Sequence, residues 1–139
     1  MVSRSLNLDP AQEAFSDAPV RPVILTTEVS PPERRRALAE VAHVLVFGEA
    51  DVDLPAAVQV LHGFGLGQIL CEGGPHLLAA LSRADLVDEM CLTLSPLLAG
   101  PGAGRITAGG PDHPPRELRL RHVLESECAL LLRYVRASS

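Results

Sequence analysis

The segment with the clearest potential for chemistry is Glu72-Gly73-Gly74-Pro75, which follows an apolar run and precedes an amphipathic stretch. Two glycines remove side chains where a backbone must approach a ligand, and a proline in the first helical turn costs no hydrogen bond. The free N–H groups and the positive end of the helix dipole would then face a ligand beyond the preceding strand. The turn therefore predicts a phosphate or pyrophosphate site, with a ligand-free strand-to-helix turn as the alternative.

Glu72 places a carboxylate beside this predicted anion site. A buried carboxylate needs a partner, so we expect it either to accept hydrogen bonds from substrate N–H groups or to cap local backbone N–H groups. No residue stands out as a catalytic acid, base or nucleophile. The isolated histidines have no metal-ligand spacing, so no metal site is predicted.

The elements that must position this turn read as an α/β domain. Three apolar, strand-like runs alternate with three helical patterns through short connections, which predicts a mostly parallel sheet flanked by helices. Ser30 is the expected N-cap of the first of these helices, with Glu33 in the capping-box position. The chain then ends in antiparallel strands. The predicted strands are 21–27, 43–48, 67–71, 87–94, 118–124 and 129–135, and the predicted helices are 30–42, 55–63 and 76–84.

Composition narrows the class of protein. The 139 residues suit one domain, and 47% apolar content excludes a disordered chain. No apolar run is long enough to span a membrane. A net charge of −5 and 3% aromatic residues argue against nucleic-acid binding. Each of the three cysteines, Cys71, Cys91 and Cys128, lies in an apolar run, which predicts buried, reduced thiols and a cytoplasmic protein.

Three motifs in succession resemble one family. They are ILCEGGPHLL at 69–78, ADLVDEM at 84–90 and LSPLLAG at 94–100. Their order and spacing resemble the pyrimidine reductase of riboflavin biosynthesis, which is the C-terminal domain of the bifunctional deaminase/reductase. The resemblance covers about residues 1–135 and implies a dihydrofolate reductase-like fold.

This resemblance also implies NADPH as cofactor and hydride delivery to the ribosylamino group of a phosphorylated pyrimidine, as in 5-amino-6-(5-phosphoribosylamino)uracil reductases. It assigns substrate contact to Glu72. It assigns the adenosine side of the cofactor to Ser3, Arg4 and Ser5, where Arg4 suits a 2′-phosphate, although a disordered terminus is the alternative. The implied pyrophosphate-binding residues are Gly73, Gly74, Pro75, His76, Leu77 and Leu78.

Members of the family carry a further N-terminal portion before the segment that 1–6 resembles. We therefore expect 1–139 to be an N-terminally incomplete reductase domain, either a fragment or a degenerate paralogue, that turns over no pyrimidine by itself. A non-catalytic nucleotide-binding remnant and an oligomerisation module are the alternatives. The apolar residues of 94–110, 118–124 and 129–135 predict a homodimer through the C-terminal elements.

Overall fold

The computed structural model describes residues 1–102, 104–111 and 113–137. The chain divides into two compact units, Met1–Ile69 and Leu70–Ser139. No helix in the described ranges is long and apolar enough to cross a membrane.

The first unit is built on two parallel strands, β1 (Val23–Thr26) and β2 (His43–Val46). Helix α2 (Pro32–Ala39) forms the crossover between them, and a short α1 (Glu13–Ser16) and a longer α3 (Leu54–Gly63) complete the unit. The β-α-β-α order matches the prediction for this half of the chain, because β-branched runs and proline-initiated helices give strong local signals.

The N-terminus pairs with β1 through a single parallel bridge between Val2 and Leu25. The Ser3 N–H donates to the Leu25 carbonyl at 2.9 Å, and the Leu25 N–H donates to the Met1 carbonyl at 2.8 Å. The start of the chain is therefore attached to the edge of β1.

The core of this unit joins the N-terminal loop to β1 and α2. Its buried members are Leu6, Phe15, Ile24, Leu38 and Ala42. Leu6 is fully buried at φ 50°, a left-handed conformation that costs a residue with a Cβ about 1–2 kcal/mol. Burial of a leucine side chain is worth about 1.5–3 kcal/mol, so packing outweighs the backbone penalty.

Helix α2 does not begin as predicted. Pro31 occupies the N-cap position, and the buried Ser30 hydroxyl donates to the Thr27 carbonyl at 2.6 Å instead of capping the helix. The prediction of Ser30 as N-cap, with Glu33 in a capping box, is therefore wrong, because the Ser30 hydroxyl is bonded to the preceding turn at Thr27 rather than to the helix. By contrast α3 has a side-chain cap, in which Asp53 accepts from the Ala56 N–H at 3.0 Å.

The second unit contains α4 (Pro75–Arg83) and an antiparallel sheet in the order β3-β5-β4. The strands are β3 (Glu89–Leu94), β4 (Leu118–Ser126) and β5 (Ala129–Arg136). Glu127 and Cys128 form the hairpin turn with φ values of 50° and 65°, the left-handed pair that two-residue hairpins require. The predicted C-terminal hairpin is confirmed.

Two expectations about burial are wrong. Residues 67–71 form no strand in the described structure, and Ile69 and Leu70 are 48% and 80% exposed. An apolar run becomes a strand only when a neighbouring strand satisfies its backbone, and no strand pairs with this run in the described sheets. All three cysteines are exposed, free thiols rather than buried ones.

Two glycines of the first unit give a matched test of this backbone. Gly48 follows β2 at φ 77°, where a Cβ would collide with the Asp51 carbonyl oxygen, whereas a Cβ on Gly63 at the end of α3 meets nothing. We expect Gly48→Ala to lower the free energy of unfolding by about 1–3 kcal/mol. Gly63→Ala should be neutral or stabilising by up to about 1 kcal/mol. Urea unfolding measures both, and equal effects would contradict the structure of this turn.

Candidate functional site

The predicted anion site lies at the start of α4. Gly74 is the N-cap at φ 63° and ψ 138°, Pro75 follows it in the first turn, and no side chain caps the helix. The first intrahelical bond runs from the Leu78 N–H to the Gly74 carbonyl at 3.1 Å. The N–H groups of His76 and Leu77 are therefore left without an intrahelical acceptor at the positive end of the helix dipole.

The space around this turn is open. A Cβ built on Gly73 or Gly74 would meet no heavy atom within 4 Å. Crowding therefore does not explain the glycines; at Gly74 the positive φ does. The bare backbone and two donated N–H groups fit a phosphate or pyrophosphate, so this end of α4 suits the phosphate portion of a dinucleotide.

The side chains of the turn have different surroundings. The His76 ring packs against Gly109, where a Cβ would lie 2.5 Å from the ring Nδ1. The Pro75 carbonyl accepts the Ala108 N–H at 3.1 Å. Leu77 and Leu78 are half-buried. What these residues offer a ligand is thus the backbone of the first turn.

Glu72 is exposed, and it makes no hydrogen bond or ion pair with any described residue. The expectation of a buried carboxylate with a protein partner is therefore wrong, because the segment before α4 is solvated and water satisfies the charge. The carboxylate stands two residues before the N-cap, in the same unit as the open turn. Its contact with a substrate stays a prediction.

The other predicted cofactor residues lie in the first unit. The Ser3 hydroxyl accepts the Leu6 N–H at 3.0 Å, and the Ser5 hydroxyl accepts the Asn7 N–H at 3.4 Å. Arg4 is ordered and pairs with Asp51 at 2.7 Å, with the two side chains 67% and 83% exposed. An exposed ion pair contributes little to stability, so a phosphate could replace Asp51 as partner at small cost.

Two further residues of this unit, which no sequence motif marks, have an unusual environment. Thr26 and Thr27 are fully buried at the carboxyl end of β1, and neither hydroxyl has a hydrogen-bond partner in the described structure. An unsatisfied buried hydroxyl costs about 1–3 kcal/mol, and the carboxyl ends of parallel strands are where α/β proteins bind ligands. The sequence signal for them is their place at the end of the predicted strand 21–27.

The comparisons with known proteins define the class of protein to which this chain belongs. The RibD C-terminal domain family matches residues 1–132. The chain belongs to this family, and its fold is dihydrofolate reductase-like.

Two individual relatives have names that state an activity more specifically than the family name does. The chain is 35% identical over 80 residues to the 2,5-diamino-6-ribosylamino-4(3H)-pyrimidinone 5′-phosphate reductase of Archaeoglobus fulgidus. The aligned region covers 58% of this chain and 36% of that relative. It is also 35% identical over 88 residues to the protein of the same name from Methanothermobacter thermautotrophicus. That aligned region covers 63% of this chain and 41% of the relative. These matches span well under half the length of either relative.

A solved structure is similar over nearly the whole chain. It is a pyrimidine reductase-like protein from Corynebacterium diphtheriae, with a TM-score of 0.84 and 26% identity. The match covers 99% of this chain and 60% of that protein. The family and the α/β class predicted from the sequence are thus confirmed.

A pair of substitutions at Gly74 tests the anion site. Asp and Asn have the same shape and suffer the same backbone strain, but only Asp brings a negative charge to the open turn. We expect Gly74→Asp to weaken NADPH binding at least tenfold relative to Gly74→Asn, because like charges repel there. Fluorescence titration measures both affinities, and circular dichroism checks that both variants fold. Equal affinities would contradict a phosphate at this turn.

Proposed function

We propose that the protein is an NADPH-dependent reductase whose substrate is a ribosylaminopyrimidine 5′-phosphate of riboflavin biosynthesis. The observation that carries the proposal is the uncapped N-terminus of α4 behind Gly73 and Gly74, in a chain that belongs to a reductase family. An open turn with donated N–H groups is a site for the phosphates of a nucleotide.

Each unit, taken by itself, offers groups that would hold one part of a phosphorylated dinucleotide. The N–H groups of His76 and Leu77 would hold the pyrophosphate, and Arg4 would hold the 2′-phosphate that distinguishes NADPH from NADH. When bound, the cofactor supplies the hydride, and the protein's contribution is to hold and orient the reactants.

Glu72 is the residue proposed to recognise the pyrimidine. An exposed carboxylate only accepts hydrogen bonds, and an aminopyrimidine offers amino and ring N–H donors. The names of the two archaeal relatives support 2,5-diamino-6-ribosylamino-4(3H)-pyrimidinone 5′-phosphate as the substrate. The uracil-type substrate expected from the resemblance is the competing candidate. A cytoplasmic location is part of the proposal, since a reducing compartment keeps the three exposed thiols free.

Binding measurements test this proposal most cleanly, because the resemblance leads us to expect no turnover from residues 1–139 alone. We expect NADPH to bind at least tenfold more tightly than NADH, and Arg4→Ala to remove that preference, while Arg36→Ala, at an exposed position of α2, does not. Each of the two pyrimidine phosphates is then titrated into the NADPH complex, with Glu72→Gln as the matched variant. Failure to bind NADPH would reject the proposed function.

We also propose that two copies of the chain associate through the sheet of the second unit. In its register Leu94 lies opposite Leu130, and Leu132 lies opposite Val123 and Leu92. Several of the apolar side chains of the sheet and of the loop after β3 are exposed. They are Leu94, Leu97, Leu98, Leu120, Val123, Leu124, Leu130 and Leu131. Apolar surface of this extent favours association, and a two-fold dimer is the simplest closed arrangement.

Light scattering tests the dimer. We expect a mass near twice 14.8 kDa at micromolar concentration. Leu97 is 80% exposed, so Leu97→Asp should weaken the dimer without disturbing a core, and Leu97→Met should leave it intact. A monomeric mass at high concentration would rule out this assembly.

A further inference from the structure

A cavity of about 460 Å³ lies in the second unit, between α4 and the loop that precedes β4. Its polar lining comes from Arg83 of α4 and from Arg105, Thr107 and His113 of the loop, and its apolar lining includes Ala79. The volume falls in the range of small-molecule sites. The nucleotide turn and Glu72 do not line this cavity.

The two arginines of the cavity differ from most others in this unit. Arg116, Arg133 and Arg136 each form an ion pair with a carboxylate. Arg83 donates only to the Gly109 carbonyl, at 3.4 Å, and Arg105 makes no hydrogen bond or ion pair with a described residue. No carboxylate from the described ranges lines the cavity. Two guanidinium groups that face one space, with no carboxylate among its described lining residues, favour an anion there.

The walls of the cavity are fixed to α4 at three points. The Ala108 N–H donates to the Pro75 carbonyl at 3.1 Å, Arg83 donates to Gly109, and Arg116 Nε donates to the Ser82 carbonyl at 3.1 Å. Gly109 and Gly110 have φ values of 76° and 79°. A Cβ on Gly110 would collide with the Arg83 guanidinium. Glycine at this position therefore allows the loop to lie directly against the arginine.

We propose that this cavity is a second anion site, separate from the start of α4, and that it binds a phosphate monoester. Guanidinium groups bind phosphate oxygens through paired N–H donors, and the Thr107 hydroxyl adds a donor. The cavity is larger than one phosphate, so it has room for the organic group that carries it. This proposal does not depend on the proposed reductase function.

Isothermal titration of the full chain with inorganic phosphate and with ribose 5-phosphate tests the proposal, and ribose is the uncharged control. We expect ribose 5-phosphate to bind and ribose not to bind. Arg105→Ala and Arg83→Ala should each weaken phosphate binding at least tenfold. Arg121→Ala, which removes an exposed arginine of β4 outside the cavity, should have no effect.

Gly74→Asp separates this site from the nucleotide turn. The proposal requires that this variant keep its phosphate affinity, whatever happens to NADPH binding. Loss of phosphate binding in Gly74→Asp with retention in Arg105→Ala would place the anion at α4 and overturn the proposal. Equal weakening by Arg121→Ala and Arg105→Ala would also overturn it, because binding would then follow net charge alone.

The source of the phosphate is settled by competition. If ribose 5-phosphate competes with the pyrimidine phosphate, the cavity holds the phosphate of the substrate. If both bind together, the cavity holds a separate phosphorylated effector. Either result supports the site, provided that Arg105→Ala removes ribose 5-phosphate binding.

Discussion

Gly74 must take φ 63° and ψ 138° for α4 to begin where it does. A residue with a Cβ is strained in this region by about 1–3 kcal/mol, so the position demands glycine. Because the chain turns there, Pro75 can open the helix without a capping side chain, and the N–H groups of His76 and Leu77 stay exposed. This one conformation determines what a ligand can meet at the turn. It leaves the backbone at Gly73 open, keeps Glu72 in solvent and aims the positive end of the helix dipole at the same space.

Ion pairs hold the elements on the other side of α4 in place. Asp85, at φ 60° just after the helix, pairs with Arg116 at 2.8 Å and with Arg136 of β5 at 3.2 Å. Glu89 of β3 pairs with Arg133. The hydrogen bond from Arg133 holds the pKa of the Glu89 carboxyl below its ordinary value. A carboxyl whose pKa is lowered on folding stabilises the fold above its unfolded pKa, and this contribution is lost as the pH falls through the folded pKa.

Local signals predicted most elements but not their environments. Short local signals specify the proline-initiated helices, the β-branched strands and the hairpin. These elements form within a few residues of their predicted bounds. Burial depends on partners that lie far away along the chain, so the strand at 67–71, the buried cysteines and the buried Glu72 were wrong. The turn at Gly74 was predictable because its glycines and proline act locally. The orphaned hydroxyls of Thr26 and Thr27 were not, since only the fold shows that they are buried without partners.

Amide NMR of the chain during NADPH titration tests the central claim most directly. Donation of the free N–H groups to a pyrophosphate should shift the amide proton resonances of His76 and Leu77 downfield in proportion to saturation. The Leu78 amide, which already donates to the Gly74 carbonyl, should move much less and serves as the internal reference. Saturation with NADPH while the His76 and Leu77 resonances stay unchanged would contradict the assignment of the start of α4 as the phosphate-binding turn.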